Sequence, residues 1–351
     1  MSKINFDPNA TSIINGNYFG FPFLSEEAEL ILISIPWDVT TSYGEGTAKG
    51  PRAILDASLQ LDFYLFGINK PWEIGIGTLP VMDNIAEKNA KNRKFAKQII
   101  DNLEQGTNLD SKDLSDKLSA VNKECAALNL WLYKESNKWL NQHKIVGIVG
   151  GEHSVPLGLI NALSEKEKNF GILQIDAHAD LRKAYQGFDY SHASIMYNAL
   201  KNNNISKLVQ VGIRDICPEE IDYIKNDNRI VLYNDFSLHE TLYGERSWLS
   251  ICDEILLHLP DKVYISFDID GLSPENCPNT GTPVPGGLSF NQAVTLIKSI
   301  AKEKQIIGFD LCEVSPSLVN PHTNFDGNVG ARLLYLLSSF AYGSHHREIL
   351  Q

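Results

Sequence analysis

Seven short runs of β-branched or apolar residues recur along the chain, at 30–35, 145–149, 171–175, 208–212, 230–233, 263–267 and 306–309. Each has the length and composition of one strand. Between them lie helix-like stretches, among them 85–103, 114–141, 192–201 and 289–304. Ser289 followed three residues later by Gln292 matches a capping box and predicts a helix start. Val329, Leu333, Leu336, Leu337 and Phe340 return at three- and four-residue steps, so the last helix packs one face on the sheet. Strands alternating with helices require a mostly parallel sheet covered on both sides, which places the chain in the α/β class. The polar stretch 102–116, with Gly106, reads as a connection between two helices. No Pro/Gly-rich linker divides the chain, so the expected organisation is an N-terminal extension, 1–28, and one catalytic domain, 29–351.

Where the polar residues fall limits the function. Nearly every run ends in acids, histidines or glycines: Asp38, Gly150 to His153, Asp176 to Asp180, Arg214 and Asp215, Asn234 and Asp235, Asp268 and Asp270, Asp310 and Glu313. Open α/β sheets bind ligands outside the carboxyl ends of their strands, so the chemistry is expected there. The 31 Lys and Arg against 43 Asp and Glu leave a formal charge of −12. Such a surface repels phosphate backbones and anionic lipid, so neither nucleic acid nor a membrane is an expected partner, and a small cationic ligand is favoured. The apolar run 30–37 is far short of the roughly 20 residues that span a bilayer, and residues 1–28 carry no signal-peptide pattern. A cytoplasmic location is therefore expected. The five cysteines are odd in number and widely spaced, which argues against a disulfide framework and a structural zinc site.

Asp176-Ala-His178-Ala-Asp180 leaves a strand with acid, imidazole and acid at alternate positions, and in extended chain a period of two sends all three to one side. Ser266-Phe-Asp268-Ile-Asp270-Gly repeats the device on a second strand, and two carboxylates at that spacing repel unless a positive partner sits between them. Helix caps and turns remain an alternative for each motif alone. Taken together, the donors form an oxygen-rich set with imidazole and no thiolate, suited to Mn²⁺, with Zn²⁺, Ni²⁺ or Fe²⁺ open and Ca²⁺ disfavoured. Gly150-Gly-Glu-His153-Ser154 adds an imidazole at a third strand exit. A phosphate-binding turn is a minor alternative there, because the Walker Lys-Ser/Thr is missing.

These segments resemble the ureohydrolase family of arginases, agmatinases and formiminoglutamases: GGEHS at 150–154, DAHAD at 176–180, SFDIDG at 266–271, GTPVPGG at 281–287, and Glu313 in EVSPS. The early segment 36–53, with Gly44, Gly46 and Gly50-Pro-Arg-Ala53, resembles the family's N-terminal loop and first helix. The resemblance implies an arginase-like three-layer α/β/α fold with two divalent metals, usually Mn²⁺ with Ni²⁺ possible, bridged by hydroxide. It implies that His153, Asp176, Asp180 and Asp268 hold one metal, that Asp176, His178, Asp268 and Asp270 hold the other, and that Asp176 and Asp268 bridge. It further implies that Glu313 orients a guanidinium over the hydroxide, that His192 moves a proton to the leaving amine, and that Asp180 also holds the hydroxide. The reaction implied is cleavage of a guanidino compound to urea plus an amine or ammonia. Homo-oligomers, trimers or hexamers, are expected on the same ground.

Within the family, Leu181-Arg182-Lys183 and Tyr185-Gln186-Gly187 stand where arginases carry an Asn-containing segment, which favours the agmatinase-like branch. Agmatine, guanidine or another small guanidino compound is the expected substrate. Trp37 and Asp38 are expected to bind it, Trp37 from an aromatic loop, 37–43, that could close over the cleft. Asp215 and Asp235 share with Asp38 the possibility of holding a distal ammonium. The Asp-Leu-Arg continuation keeps a formiminoglutamase-type hydrolase in play, although His192 argues against it. Two other readings stand beside these: a noncatalytic, metal-binding regulatory relative, and a one-zinc deacetylase-like hydrolase.

Overall fold

All seven expected runs form strands in the structure, a computed structural model that describes residues 6–82, 84–317, 319–320 and 324–351. An eighth strand is added at the edge. In chain order they are β1 (Leu30–Ile35), β2 (Ile76–Thr78), β3 (Ile145–Gly150), β4 (Phe170–Ile175), β5 (Ile205–Ile213), β6 (Ile230–Asn234), β7 (Lys262–Asp268) and β8 (Gln305–Cys312). They form one sheet in the order β2-β1-β3-β8-β7-β4-β5-β6, with every pairing parallel. The sequence pattern misses β2 because three residues centred on Gly77 give no periodicity to read.

Side-chain alternation along the strands divides the interior into two cores. Leu30 and Leu32 face one side, with the helices Gly50–Ser58, Phe290–Glu303 and Phe325–His345. Ile31, Ile33 and Ile35 face the other, with the helices Ile85–Glu104, Lys112–Leu140 and Leu157–Lys166. The result is the expected three-layer α/β/α arrangement, in which β1, β3 and β4 are buried along their whole length. The capping box forms at Phe290–Glu303: Gln292 N donates to Ser289 Oγ at 3.2 Å and Ser289 N to Gln292 Oε1 at 2.8 Å. The stretch 192–201 is only partly helical, a 3-10 turn at His192–Ser194 followed by the short helix Ile195–Ala199.

Of the extension expected at 1–28, residues 1–5 lie outside the described residues, and the later part is built into the domain. Tyr18, Phe19 and Phe21 are buried in the first core beside Phe63 and Tyr335. Lys144 Nζ donates to the carbonyls of Ser25, Glu26 and Ala28 at 2.7, 2.7 and 2.8 Å, clamping the chain as it enters β1. No helix among the described residues is long and apolar enough to cross a membrane.

Candidate metal centre and substrate cleft

The four strands adjacent in the middle of the sheet, β3, β8, β7 and β4, carry the motif residues at their carboxyl ends. Asp176, His178 and Asp180 follow β4, and Asp268 closes β7. Asp270 lies in the 3-10 turn Ile269–Gly271, where its N–H donates to Asp268 Oδ1 at 2.9 Å. The second carboxylate pair therefore converges through a turn, not through extended chain. Asp180 departs from a plain strand too, with a left-handed φ of 55°. Such backbone is sparsely populated for a non-glycine residue and collects at functional sites. Gly151 explains the glycine pair of β3's exit: a Cβ there would meet the Trp37 carbonyl oxygen at 2.1 Å.

All six expected ligands meet in one cluster, five of them buried and His178 partly exposed at the cleft. Asp176 Oδ2 lies 3.0 Å from His153 Nδ1, and Asp176 Oδ1 lies 3.6 Å from His178 Nδ1. Asp180 Oδ2 and Asp268 Oδ2 stand 2.9 and 3.5 Å from His153 Nδ1, and Asp270 Oδ2 stands 3.1 Å from His178 Nδ1. Two ligand groups result, His153/Asp176/Asp268 and Asp176/His178/Asp270, each with its donor atoms within 4.8 Å of one another. Asp176 belongs to both.

The hydrogen bonds behind His153 show that cations fit here. Ser266 Oγ donates to Asp310 Oδ2 at 2.8 Å, so it accepts from His153 Nε2, also at 2.8 Å. That fixes Nε2 as a donor and leaves Nδ1, buried among three carboxylates, as the nitrogen that could face a cation once its own proton is gone. In the metal-free chain, burial pushes Asp180 up to about 7, with the Asp176 charge adding to it. Burial, Asp270 and Asp176 hold Asp268 well above the carboxylate range. Burial alone would keep His153 neutral, but hydrogen bonds to Asp176 and Asp180 raise it well above the usual imidazole value. A crowd of buried acids that must borrow protons to coexist is a site short of positive charge. Oxygen and imidazole donors without thiolate suit hard or borderline divalent ions.

Glu313 follows β8 with a left-handed φ of 60° and is tied in by its N–H to the Gly151 carbonyl at 2.7 Å. Its Oε1 accepts from His153 N at 2.9 Å, while Oε2 is buried with no partner. Burial and the nearby Glu152 carboxylate raise its pKa well above the usual range. A small cavity that Glu313 shares with Ser42, Gly281, Thr282 and His192 lies beside it. His192 is anchored by its N–H to Thr40 Oγ1 at 3.0 Å, and its Nε2 is 3.4 Å from Ser42 Oγ. Burial, with the charge of His178, pulls its pKa down to about 3. A larger cleft of about 130 Å³ continues outward past His178, Asp180, Arg182, Tyr185 and Asp215.

Two expected substrate contacts are corrected. Trp37 is buried in the second core, against Met82, Ile85, Leu128 and Trp131, and turns away from the cleft. Asp38 is also buried, and its carboxylate is spent on its own loop, accepting from Gly46 N at 3.1 Å, Ala48 N at 3.2 Å and Asn89 Nδ2 at 2.8 Å. Asp235 is taken as well, accepting from Gly287 N at 3.1 Å, so only Asp215 of the three acids lines the cleft. The loop does reach the site, through Thr40 and Ser42 instead of its tryptophan. Glu152 holds it there, accepting from Thr40 N at 2.7 Å, and Arg93 binds the Val39 and Thr41 carbonyls at 3.1 and 2.6 Å. Sequence spacing gave no sign of Thr40, Ser42, Glu152 or Arg93, since their partners lie 52 to 152 residues away.

The description "Arginase family" fits a sequence profile that matches residues 28–337. An N(1)-aminopropylagmatine ureohydrolase of Thermus thermophilus is 33% identical over 296 residues, 83% of this chain and 84% of that one. An agmatinase of Pyrococcus horikoshii is 26% identical over 88% of this chain and 91% of its own. Among solved structures, the agmatine ureohydrolase of Thermoplasma volcanium superposes with a TM-score of 0.69 at 24% identity, over 92% of each chain.

Proposed function

The chain belongs to the arginase family, and on that premise we propose that it is an agmatinase-like amidinohydrolase, cleaving a small guanidino compound to urea and an amine or ammonia. The observation that carries this reading is Glu313 Oε2. It is a buried carboxylate oxygen with no partner, beside a cavity shared with His192 and next to the ligand cluster. A guanidinium is the planar, charged donor such an oxygen lacks.

His153, Asp176, Asp180 and Asp268 would hold one divalent ion, and Asp176, His178, Asp268 and Asp270 the other. When bound, such a pair supplies a hydroxide nucleophile near neutral pH. The protein's own groups do the rest. Glu313 presents the guanidinium in one orientation, with Oε1 fixed by His153 N. His192, neutral in its buried setting, is placed by Thr40 and Ser42 to pass a proton at Nε2 toward the leaving nitrogen. The oxygen-rich donor set supports Mn²⁺ ahead of Ni²⁺. Asp215, at the cleft mouth, supports a cationic tail such as that of agmatine.

A formiminoglutamase-type activity is favoured by one feature, Arg182 in the cleft wall. Its guanidinium is stacked 4.6 Å from the Tyr185 ring and lies 3.9 Å from a Glu220 carboxylate whose oxygens already accept from Leu181 N and Cys217 N. Urea, ammonia and formamide release should be measured with the Mn²⁺-loaded protein on agmatine, guanidine, 4-guanidinobutyrate, arginine and formiminoglutamate. Urea from one small guanidino compound supports the proposal. Formamide moves the assignment to the second reading, and silence from a protein holding two metals points to a noncatalytic relative.

A further inference from the structure

One layer beneath the ligands, the sheet carries a polar row. The parallel register sets Gln210 of β5 beside Gln174 of β4, Gln174 beside Ser266 of β7, and Ser266 beside Asp310 of β8. All four are fully buried. The Ser266–Asp310 half orients His153. The glutamine half has no part in the reaction derived above.

Its hydrogen bonds run in one direction. Gln174 Nε2 lies 2.8 Å from Asp176 Oδ2 and 3.1 Å from the His178 carbonyl, both acceptors, so the atom there is the amide nitrogen. This turns Gln174 Oε1 toward β5, where Gln210 Nε2 donates to it at 2.7 Å and to the Ala179 carbonyl at 2.7 Å. Gln210 Oε1 is left buried with no partner. Apolar residues would fill these strand positions without stranding a polar atom in the core. The orientation is accounted for by what the two amides donate to, Asp176 and the backbone of the loop carrying His178 and Asp180.

We propose that Gln174 and Gln210 are positioning residues for the metal centre: a two-amide relay that fixes the carboxylate shared by both ligand groups and the loop that follows it. A neutral donor suits this task, because it sets the rotamer of Asp176 while leaving its full negative charge to two cations. An Arg or Lys in the same place would compete with them. The proposal rests on the metal-hydrolase reading above.

The test is Mn²⁺ binding, followed by calorimetry on the full chain stripped with chelator, for wild type, Gln174→Met, Gln210→Met and Gln174→His. Methionine keeps the unbranched shape and removes the donor, while histidine restores an N–H. Gln174→Met is expected to weaken Mn²⁺ binding by about 10- to 100-fold, the range for partners that orient metal ligands. Both methionine variants should lose some metal-free melting temperature, because each strands buried partners, but Gln210→Met should lose less affinity than Gln174→Met, and Gln174→His should recover affinity. Unchanged affinity in Gln174→Met overturns the proposal. Loss of affinity that tracks loss of metal-free stability in all three variants assigns the pair to packing and overturns it too. A wild-type chain that binds no Mn²⁺ overturns the metal-hydrolase reading and this proposal together, whereas normal wild-type binding with indifferent variants overturns this proposal alone.

Discussion

Asp176 and His153 meet at 3.0 Å, Oδ2 against Nδ1, while the other oxygen of the same carboxylate faces His178. One side chain thus joins two ligand groups that would otherwise be separate. Asp176→Asn keeps its shape and removes the charge that two cations would share. Metal analysis of the variant should find fewer than two ions per chain. Turnover should drop by more than about 100-fold, the upper end for residues one layer behind a metal. Two retained ions with near-normal turnover would remove Asp176 from the centre.

Glu313→Gln separates substrate binding from metal binding. The amide oxygen can still accept from His153 N, so the strand exit keeps its hydrogen bond. The group facing the cavity becomes an N–H donor, which opposes a guanidinium. A charge-assisted hydrogen bond contributes about 1.5–3 kcal/mol, so kcat/KM should fall by about 10- to 150-fold with metal content intact. Parallel loss of metal would show that Glu313 supports the ligands instead of the substrate.

Five of the six residues in the candidate cluster were legible in the sequence because their spacing is local, whereas His153 lies on a separate strand exit. Asp176, His178 and Asp180 follow a strand of clear apolar pattern, and Asp268 and Asp270 follow another, so neighbours in sequence are neighbours in space. The rest depends on contacts that only the fold creates. Gln174 meets Gln210 because β4 lies beside β5, and Glu152 meets Thr40 because β3 lies beside β1. Trp37 and Asp38 were misplaced for a related reason. Composition marks a loop as aromatic and acidic, but which side chain turns inward is decided by the helix Ile85–Glu104, whose Asn89 and Arg93 grip the loop from behind.

Asp38→Ala tests that grip. The substitution removes the acceptor for two backbone N–H groups and for Asn89, a loss of about 1–3 kcal/mol in stability. Because the loop carries Thr40 and Ser42 against His192, kcat should fall as well. Had Asp38 bound a substrate ammonium, KM for a cationic substrate would rise and the melting temperature would stay put, so the two parameters measured together decide between the roles.

Trp37→Ala should behave as a core mutation. Its ring is almost fully buried, at 1% exposure, and removing a large buried aromatic costs about 3–5 kcal/mol. Denaturant unfolding should show that loss while the ranking of guanidino substrates is preserved. A changed ranking at unchanged stability would return Trp37 to the cleft wall.

His192 makes a prediction about acid. Burial favours its neutral form, with a folded pKa of about 3 against roughly 6.5 when unfolded. Above pH 6.5 both states are neutral and the imidazole exerts no pull. As pH falls from there toward 3, the unfolded chain takes up a proton that the folded chain refuses, so stability is lost progressively across that window. His192→Asn removes the titrating group while leaving the surrounding acids, whose contributions the chelator-treated wild type shares. Denaturant unfolding at pH 7.5 and pH 5 should therefore show the wild type losing more stability than the variant. Equal losses would mean that the imidazole accepts a proton in place, and a proton carrier already charged at rest could not take one up during turnover.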